Sequence, residues 1–203
     1  MFPRIIDLAQ RSTYLLFVDE AVFSFKQVRN KWWAVKGDSG GLVPVQKLGF
    51  AAVAVVAATS MDGQVLAVTT SRLSVGKDTF IEFLGRLAAE VRKRRVHIVL
   101  DNLRMHLSKE VVEAAHAHGF ELVYNAPYTS HLNPIEILWA WSKRKFSTEF
   151  MHLADSPSQQ QVEQRVRECV ASAPRSLLVK HTAKCLREME TELHLLNGGT
   201  GQD

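Results

Sequence analysis

Two five-residue apolar runs in this chain each end in an acid. Residues 14–18 (Tyr-Leu-Leu-Phe-Val) lead into Asp19-Glu20, and residues 96–100 (Val-His-Ile-Val-Leu) into Asp101-Asn102. Runs this short do not make helices, and without polar alternation they read as central strands covered on both faces. An acid that follows such a strand stands at the carboxyl edge of the sheet, where α/β proteins hold their ligands. The chain is thereby constrained to an α/β fold with two carboxylates at one edge.

The other elements fit that frame. Residues 120–124 form a further apolar strand, and residues 21–28, 50–59 and 64–70 suit antiparallel strands, with Met61-Asp62-Gly63-Gln64 as a hairpin turn. Helical spacing covers residues 77–93 through Phe80, Phe83, Leu84, Leu87 and Val91. A second helix spans 107–118 and stops at Gly119, and a third runs from Pro134 to about Phe146. Strands followed by alternating helices and strands give a mixed sheet flanked by helices. Two more helices, 159–171 and 175–196, are separated by Pro174 and followed by a Gly-rich tail, 197–203, expected to be disordered. Lys36-Gly37-Asp38-Ser39-Gly40-Gly41 lacks phosphate-loop spacing and reads as a flexible loop.

Composition narrows the class only a little. The 203 residues are 46% apolar and 23% charged, which suits one buried domain with or without an appendage. A net charge of +4 favours polyanionic partners weakly. Cys169 and Cys185 form no C-x-x-C pair, and no apolar stretch is long enough to span a bilayer, so no membrane partner is expected. With no signal-peptide pattern at the N-terminus, an intracellular protein is the expectation, in cytoplasm or nucleoid if bacterial and in the nucleus if eukaryotic.

If the strands before Asp19 and Asp101 are parallel neighbours, their carboxylates come side by side. Close carboxylates repel, so one stays protonated or a cation binds between them, and hard oxygen ligands suit Mg²⁺. Each Asp alone reads more simply as a strand reaching solvent. Glu136 alone reads best as a helix start, with Asn133 as N-cap, Pro134 at the first helical position and Glu136 closing a capping box.

The combination changes that weighting. The ordered set Phe17-Val18-Asp19-Glu20, Leu100-Asp101-Asn102 with His106, and Pro127-Tyr128 through Leu132-Asn133-Pro134-Ile135-Glu136 to Trp139 resembles the catalytic domain of mariner-type DDE transposases and their bacterial insertion-sequence relatives. The 34 residues between Asp101 and Glu136 match that superfamily's spacing, and Lys31-Trp32-Trp33-Ala34-Val35-Lys36-Gly37 resembles its Trp-x-x-x-Gly segment. The likeness covers residues 14–150, after a lead-in of residues 1–13 and before a helical extension, 158–196. It implies an RNase H-like mixed five-stranded sheet flanked by helices. It also implies a metal-dependent endonuclease and strand transferase that cuts and joins transposon DNA. Asp19, Asp101 and Glu136 would be the catalytic and metal-holding residues, with two Mg²⁺ or Mn²⁺ ions per site. DNA is the implied partner, and a homodimer the implied assembly.

Supporting residues follow. Lys143 shares a helix face with Glu136 seven residues earlier, and Arg144 and Lys145 widen the basic surface toward DNA phosphate, against a plain reading as a solvated helix end. Asn102, His106 and Asn133 stand beside the acids as orienting or DNA-contact candidates, and His131 lies five residues before Glu136. Trp139 and Trp141 read as core packing, and Glu20 as facing away from Asp19. The run Arg92-Lys93-Arg94-Arg95 is expected at the opposite sheet edge. About a dozen residues precede the first strand, too few for a helix-turn-helix module. A separate DNA-reading chain, a decayed copy, or a domesticated non-catalytic scaffold or nucleic-acid-binding module are therefore the alternatives to carry. Another RNase H-like nuclease, acting on RNA–DNA hybrids, fits the Asn-Pro-Ile-Glu setting less well.

Overall fold

The computed structural model describes residues 2–11, 14–24, 52–91, 95–127, 129–150 and 158–198. The Trp32-Trp33 segment, the Lys36–Gly41 loop, Arg92-Lys93-Arg94 and residues 199–203 lie outside them. Five strands, β1 (Tyr14–Phe23), β2 (Val53–Ser60), β3 (Val65–Arg72), β4 (Val96–Leu100) and β5 (Phe120–Tyr124), form one sheet in the order β3-β2-β1-β4-β5. β1–β2 and β2–β3 are antiparallel, whereas β1–β4 and β4–β5 are parallel. The helices are α1 (Phe2–Gln10), α2 (Lys77–Val91), α3 (Lys109–Ala117), α4 (Glu136–Phe150), α5 (Gln159–Ala171) and α6 (Arg175–Gly198). This is the RNase H-like arrangement that the resemblance implies.

Side-chain alternation along β1 sorts the core into two layers. Leu15, Phe17, Ala21 and Phe23 join Leu138, Trp139, Val166 and Leu178 on one face, under α1, α4, α5 and α6. Leu16 and Val18 join Phe80, Phe83, Leu84 and Leu87 on the other, under α2 and α3. β4 is buried along its whole length, as a central strand between parallel neighbours must be.

Several expectations need correction. The first apolar run ends at Val18, but the strand does not: β2 keeps pairing with β1 through Asp19↔Ala57 and Glu20↔Val56 to Phe23↔Val53. Residues 21–23 therefore finish β1 rather than begin another strand, and residues 25–28 lie outside the described residues. The lead-in contains α1, whose Phe2, Ile5 and Ile6 follow helical spacing and are buried, with α1 packing on α6. At the other end α6 carries Asn197 and Gly198, two residues of the expected tail.

Two turns form where expected. Gly63 has φ +77, and a Cβ there would come 2.6 Å from the Arg175 carbonyl oxygen, so the β2–β3 hairpin docks on the start of α6 only with glycine. Gly119, φ +78, follows α3. α5 opens on a capping box: Ser158 Oγ accepts from the Gln161 N–H at 3.3 Å, and Gln161 Oε1 accepts from the Ser158 N–H at 2.8 Å. Ser158→Ala is expected to cost about 1 kcal/mol, read as a melting temperature lowered by about 2–4 °C. Among the described residues no helix is long and apolar enough to cross a membrane.

Candidate active site

The parallel pairing of β1 and β4 runs from Tyr14↔Val96 to Phe17↔Val99, and carrying that register two residues further sets Asp19 level with Asp101. Asp19 follows the parity of Phe17 and so faces the α4 layer. α4 starts at Glu136, after a 3-10 turn at Ser130–Leu132. A cleft of about 410 Å³ opens here, lined by Asp19, Asp101, Asn102, Leu103, Asn125, Ala126, Pro127, Thr129, Ser130, Asn133 and Glu136.

Each acid is held differently. Trp139, one turn into α4 from Glu136, donates its indole N–H to Asp19 Oδ2 at 3.1 Å. Burial pushes the Asp19 carboxyl up to about 7; the charges of Glu20 and Glu136 add to this, while hydrogen bonds from the Glu20 N–H and the Trp139 indole oppose it. Asp101 is the reverse case. His106 holds its carboxyl below the ordinary value, with the Leu103 N–H helping and partial burial opposing. Both contacts fall on one oxygen: His106 Nδ1 lies 2.9 Å and the Leu103 N 3.0 Å from Asp101 Oδ1.

Glu136 does not close a capping box. The Asn133 N–H, which the box would present to Glu136, is already given to the Ser130 carbonyl at 2.8 Å. Asn133 is buried, and its side-chain oxygen accepts from the Ile135 N–H only at 3.5 Å. The Glu136 carboxylate thus stays with the cleft.

The remaining candidates divide. Asn102 donates to the Asn125 carbonyl at 2.6 Å, tying together the two strand exits instead of gripping Asp101. His106 is fully buried, packed on the Phe80 ring, and reaches Glu20 Oε1 with Nε2 at 2.9 Å. Burial disfavours its charge, yet the hydrogen bonds to Asp101 and Glu20 raise its pKa to about 9. Lys143 and Arg144 sit two turns along α4 and do not line the cleft. Lys145 turns to Ser172 at 2.8 Å, and His131 toward Glu192 on α6 at 3.6 Å. Trp139 was legible only as core; its contact with Asp19 depends on how α4 crosses β1, which no local pattern records. Asn125, Thr129 and Ser130 line the cleft unanticipated, each after or within the loop that leaves β5.

Among the described residues no group of three His, Cys, Asp or Glu side chains is drawn together closely enough to grip a metal ion unaided. The donor chemistry nevertheless suits one. The polar groups facing the cleft are carboxylates, amides and hydroxyls, and among the described residues no Lys or Arg lines it to balance the acids. A carboxyl resisting ionisation beside a second carboxylate is relieved by a cation, and oxygen donors select Mg²⁺ or Mn²⁺ over softer metals.

A parallel β1–β4–β5 edge carrying acids, met by a third acid at the start of α4, defines an RNase H-like protein with a carboxylate cleft. The family model for the DDE superfamily endonucleases matches residues 14–156. The chain belongs to that family. Among solved structures, the Mos1 transposase paired-end complex with left transposon end is similar at TM-score 0.68 and 16% identity, covering 93% of this chain and 58% of that one. The catalytic domain of Mos1 mariner transposase gives TM-score 0.62 and 13% identity, over 93% of this chain and 86% of that one. The Mos1 catalytic domain with Raltegravir and Mg gives 0.62 and 14%, over 93% and 88%. The chain thus spans 58% of the transposase in the paired-end complex and most of the isolated catalytic domain. A search of curated proteins found no match.

Proposed function

We propose that this chain is the catalytic domain of a transposase, cutting and joining DNA at transposon ends. The observation that carries the reading is the convergence of Asp19, Asp101 and Glu136 on one oxygen-lined cleft in a chain of this family. Those three residues would hold two divalent cations. When bound, such cations supply activation of water or of a DNA 3′-hydroxyl and stabilisation of the leaving oxygen.

The chain's own residues prepare for that chemistry. Trp139 fixes Asp19, and His106 with the Leu103 N–H fixes Asp101 through Oδ1, contacts that do not engage Oδ2. Asn102, Asn125, Thr129 and Ser130 form a polar wall against which a phosphate backbone can be positioned. No covalent protein–DNA intermediate is needed, because the nucleophile is an oxygen of water or DNA. Residues 14–150 carry this activity in the proposal, and α5 and α6 complete the layer over the sheet. DNA is the partner, as it is for the paired-end complex named above. A homodimer and a separate helix-turn-helix chain for end recognition complete the proposal, in whichever compartment holds the DNA.

The purified chain is expected to convert supercoiled plasmid to nicked circles with Mg²⁺ or Mn²⁺, and not with chelator. Plasmid left intact with both metals contradicts the proposal.

A further inference from the structure

We infer that Glu20 and His106 form a positioning pair that sets the Asp101 carboxylate for metal binding, with Glu20 acting on the cleft from the opposite face of β1. This rests on the metal reading above.

Glu20 follows Asp19 in β1, so its side chain leaves the strand on the α2 and α3 side. There it meets His106, which comes from the turn after β4 and is fully buried against the Phe80 ring. The imidazole stands between two acceptors, Glu20 Oε1 at 2.9 Å from Nε2 and Asp101 Oδ1 at 2.9 Å from Nδ1. A carboxylate offers no hydrogen, so the ring donates from both nitrogens and its orientation is fixed at both ends. Phe80 blocks rotation on a third side. The Tyr124 hydroxyl donates to the His106 carbonyl at 3.1 Å and anchors the backbone beneath the ring.

The consequence falls on Asp101. Its Oδ1 is occupied by His106 and the Leu103 N–H, neither of which engages Oδ2, and the residue lines the cleft. The pair also joins β1, which bears Asp19, to the loop that bears Asp101, so the two acids keep their relative setting. Without Glu20, the buried Nε2–H has no acceptor, and a ring that turns to find one releases Asp101. Outer partners that orient metal-holding side chains in this way are worth about 10–100-fold in metal affinity.

Mn²⁺ titration of the full-length chain tests this, with melting temperature measured alongside. Glu20→Ala is expected to weaken Mn²⁺ about tenfold while the protein stays folded. Glu20→Gln, whose amide oxygen still accepts from Nε2, is expected to recover most of that loss. In an Asp101→Asn background, Glu20→Ala is expected to add nothing to the residual binding through Asp19 and Glu136. Where alanine prevents folding, Glu20→Met keeps the volume without the acceptor and carries the same expectation. Wild-type affinity in Glu20→Ala, or equal losses with and without Asp101, overturns the inference while leaving the metal reading intact. A wild-type chain that takes up no Mn²⁺ removes both.

Discussion

Asp19→Asn, Asp101→Asn and Glu136→Gln should each lower metal-dependent nicking by about 10³-fold or more, with the fold unchanged. The size follows from what a bound cation supplies, several kcal/mol of transition-state charge stabilisation at about 1.4 kcal/mol per tenfold in rate. Each substitution keeps side-chain shape and removes one anionic oxygen donor. Acids that share the cations would act as one unit, so combining two substitutions should cost little more than either alone. Lys143→Gln is the contrasting control: Lys143 does not line the cleft, and its loss should change nicking far less. Plasmid nicking rates, with melting curves as a check on folding, decide the matter. Activity that survives all three changes would place the chemistry elsewhere in the chain.

Asp19→Asn should also make the metal-free protein more stable. Burial raises the Asp19 carboxyl to about 7 from 3.8, so the folded chain resists its ionisation and the unfolded chain does not. The sign follows from linkage. Below pH 3.8 the group is protonated in both states and contributes nothing. Between 3.8 and about 7 the unfolded state loses its proton first and gains, and above 7 the penalty on folding is complete. A shift of this size is worth about 4 kcal/mol, and partial solvation of the cleft reduces it to about 2 kcal/mol. Asparagine removes the charge and keeps an acceptor for the Trp139 indole. The variant should therefore melt higher than wild type at pH 8 in chelator, with the difference vanishing near pH 4. A stabilising change that destroys activity is the mark of a group kept for function. Equal melting at pH 8 would mean that folding does not oppose ionisation of the Asp19 carboxyl.

Much of the architecture was legible because β4, β5 and α2 announce themselves by pattern alone. Val96 to Leu100 is apolar throughout, and Phe80, Phe83, Leu84 and Leu87 repeat at helical spacing. The reach of β1 was not legible, because its continuation past Asp19 is enforced by pairing with β2, a partner thirty or more residues away. α1 was missed because its stripe of Phe2, Ile5 and Ile6 is short, and its helix is completed by packing on α6. At the site, residue type and spacing marked Asp19 and Asp101 only as strand-end acids and Glu136 as a helix start; the resemblance to DDE transposases is what joined them into one proposed site. What holds them could not. Trp139 reaches Asp19 across 120 positions and His106 reaches Glu20 across 86, both through tertiary contact. Lys143 shows the opposite failure, since helical periodicity assigns a shared face but not which part of that face borders the cleft.

The central claim is that Asp19, Asp101 and Glu136 jointly hold catalytic cations. Crystals of the chain grown with Mn²⁺ and measured at the metal's anomalous edge test it most directly. Anomalous peaks are expected inside the cleft, within bonding distance of all three carboxylates and absent when Asp19 is replaced by asparagine. Peaks confined to surface carboxylates, with Asp101 and Glu136 both free of metal at saturating Mn²⁺, would contradict it.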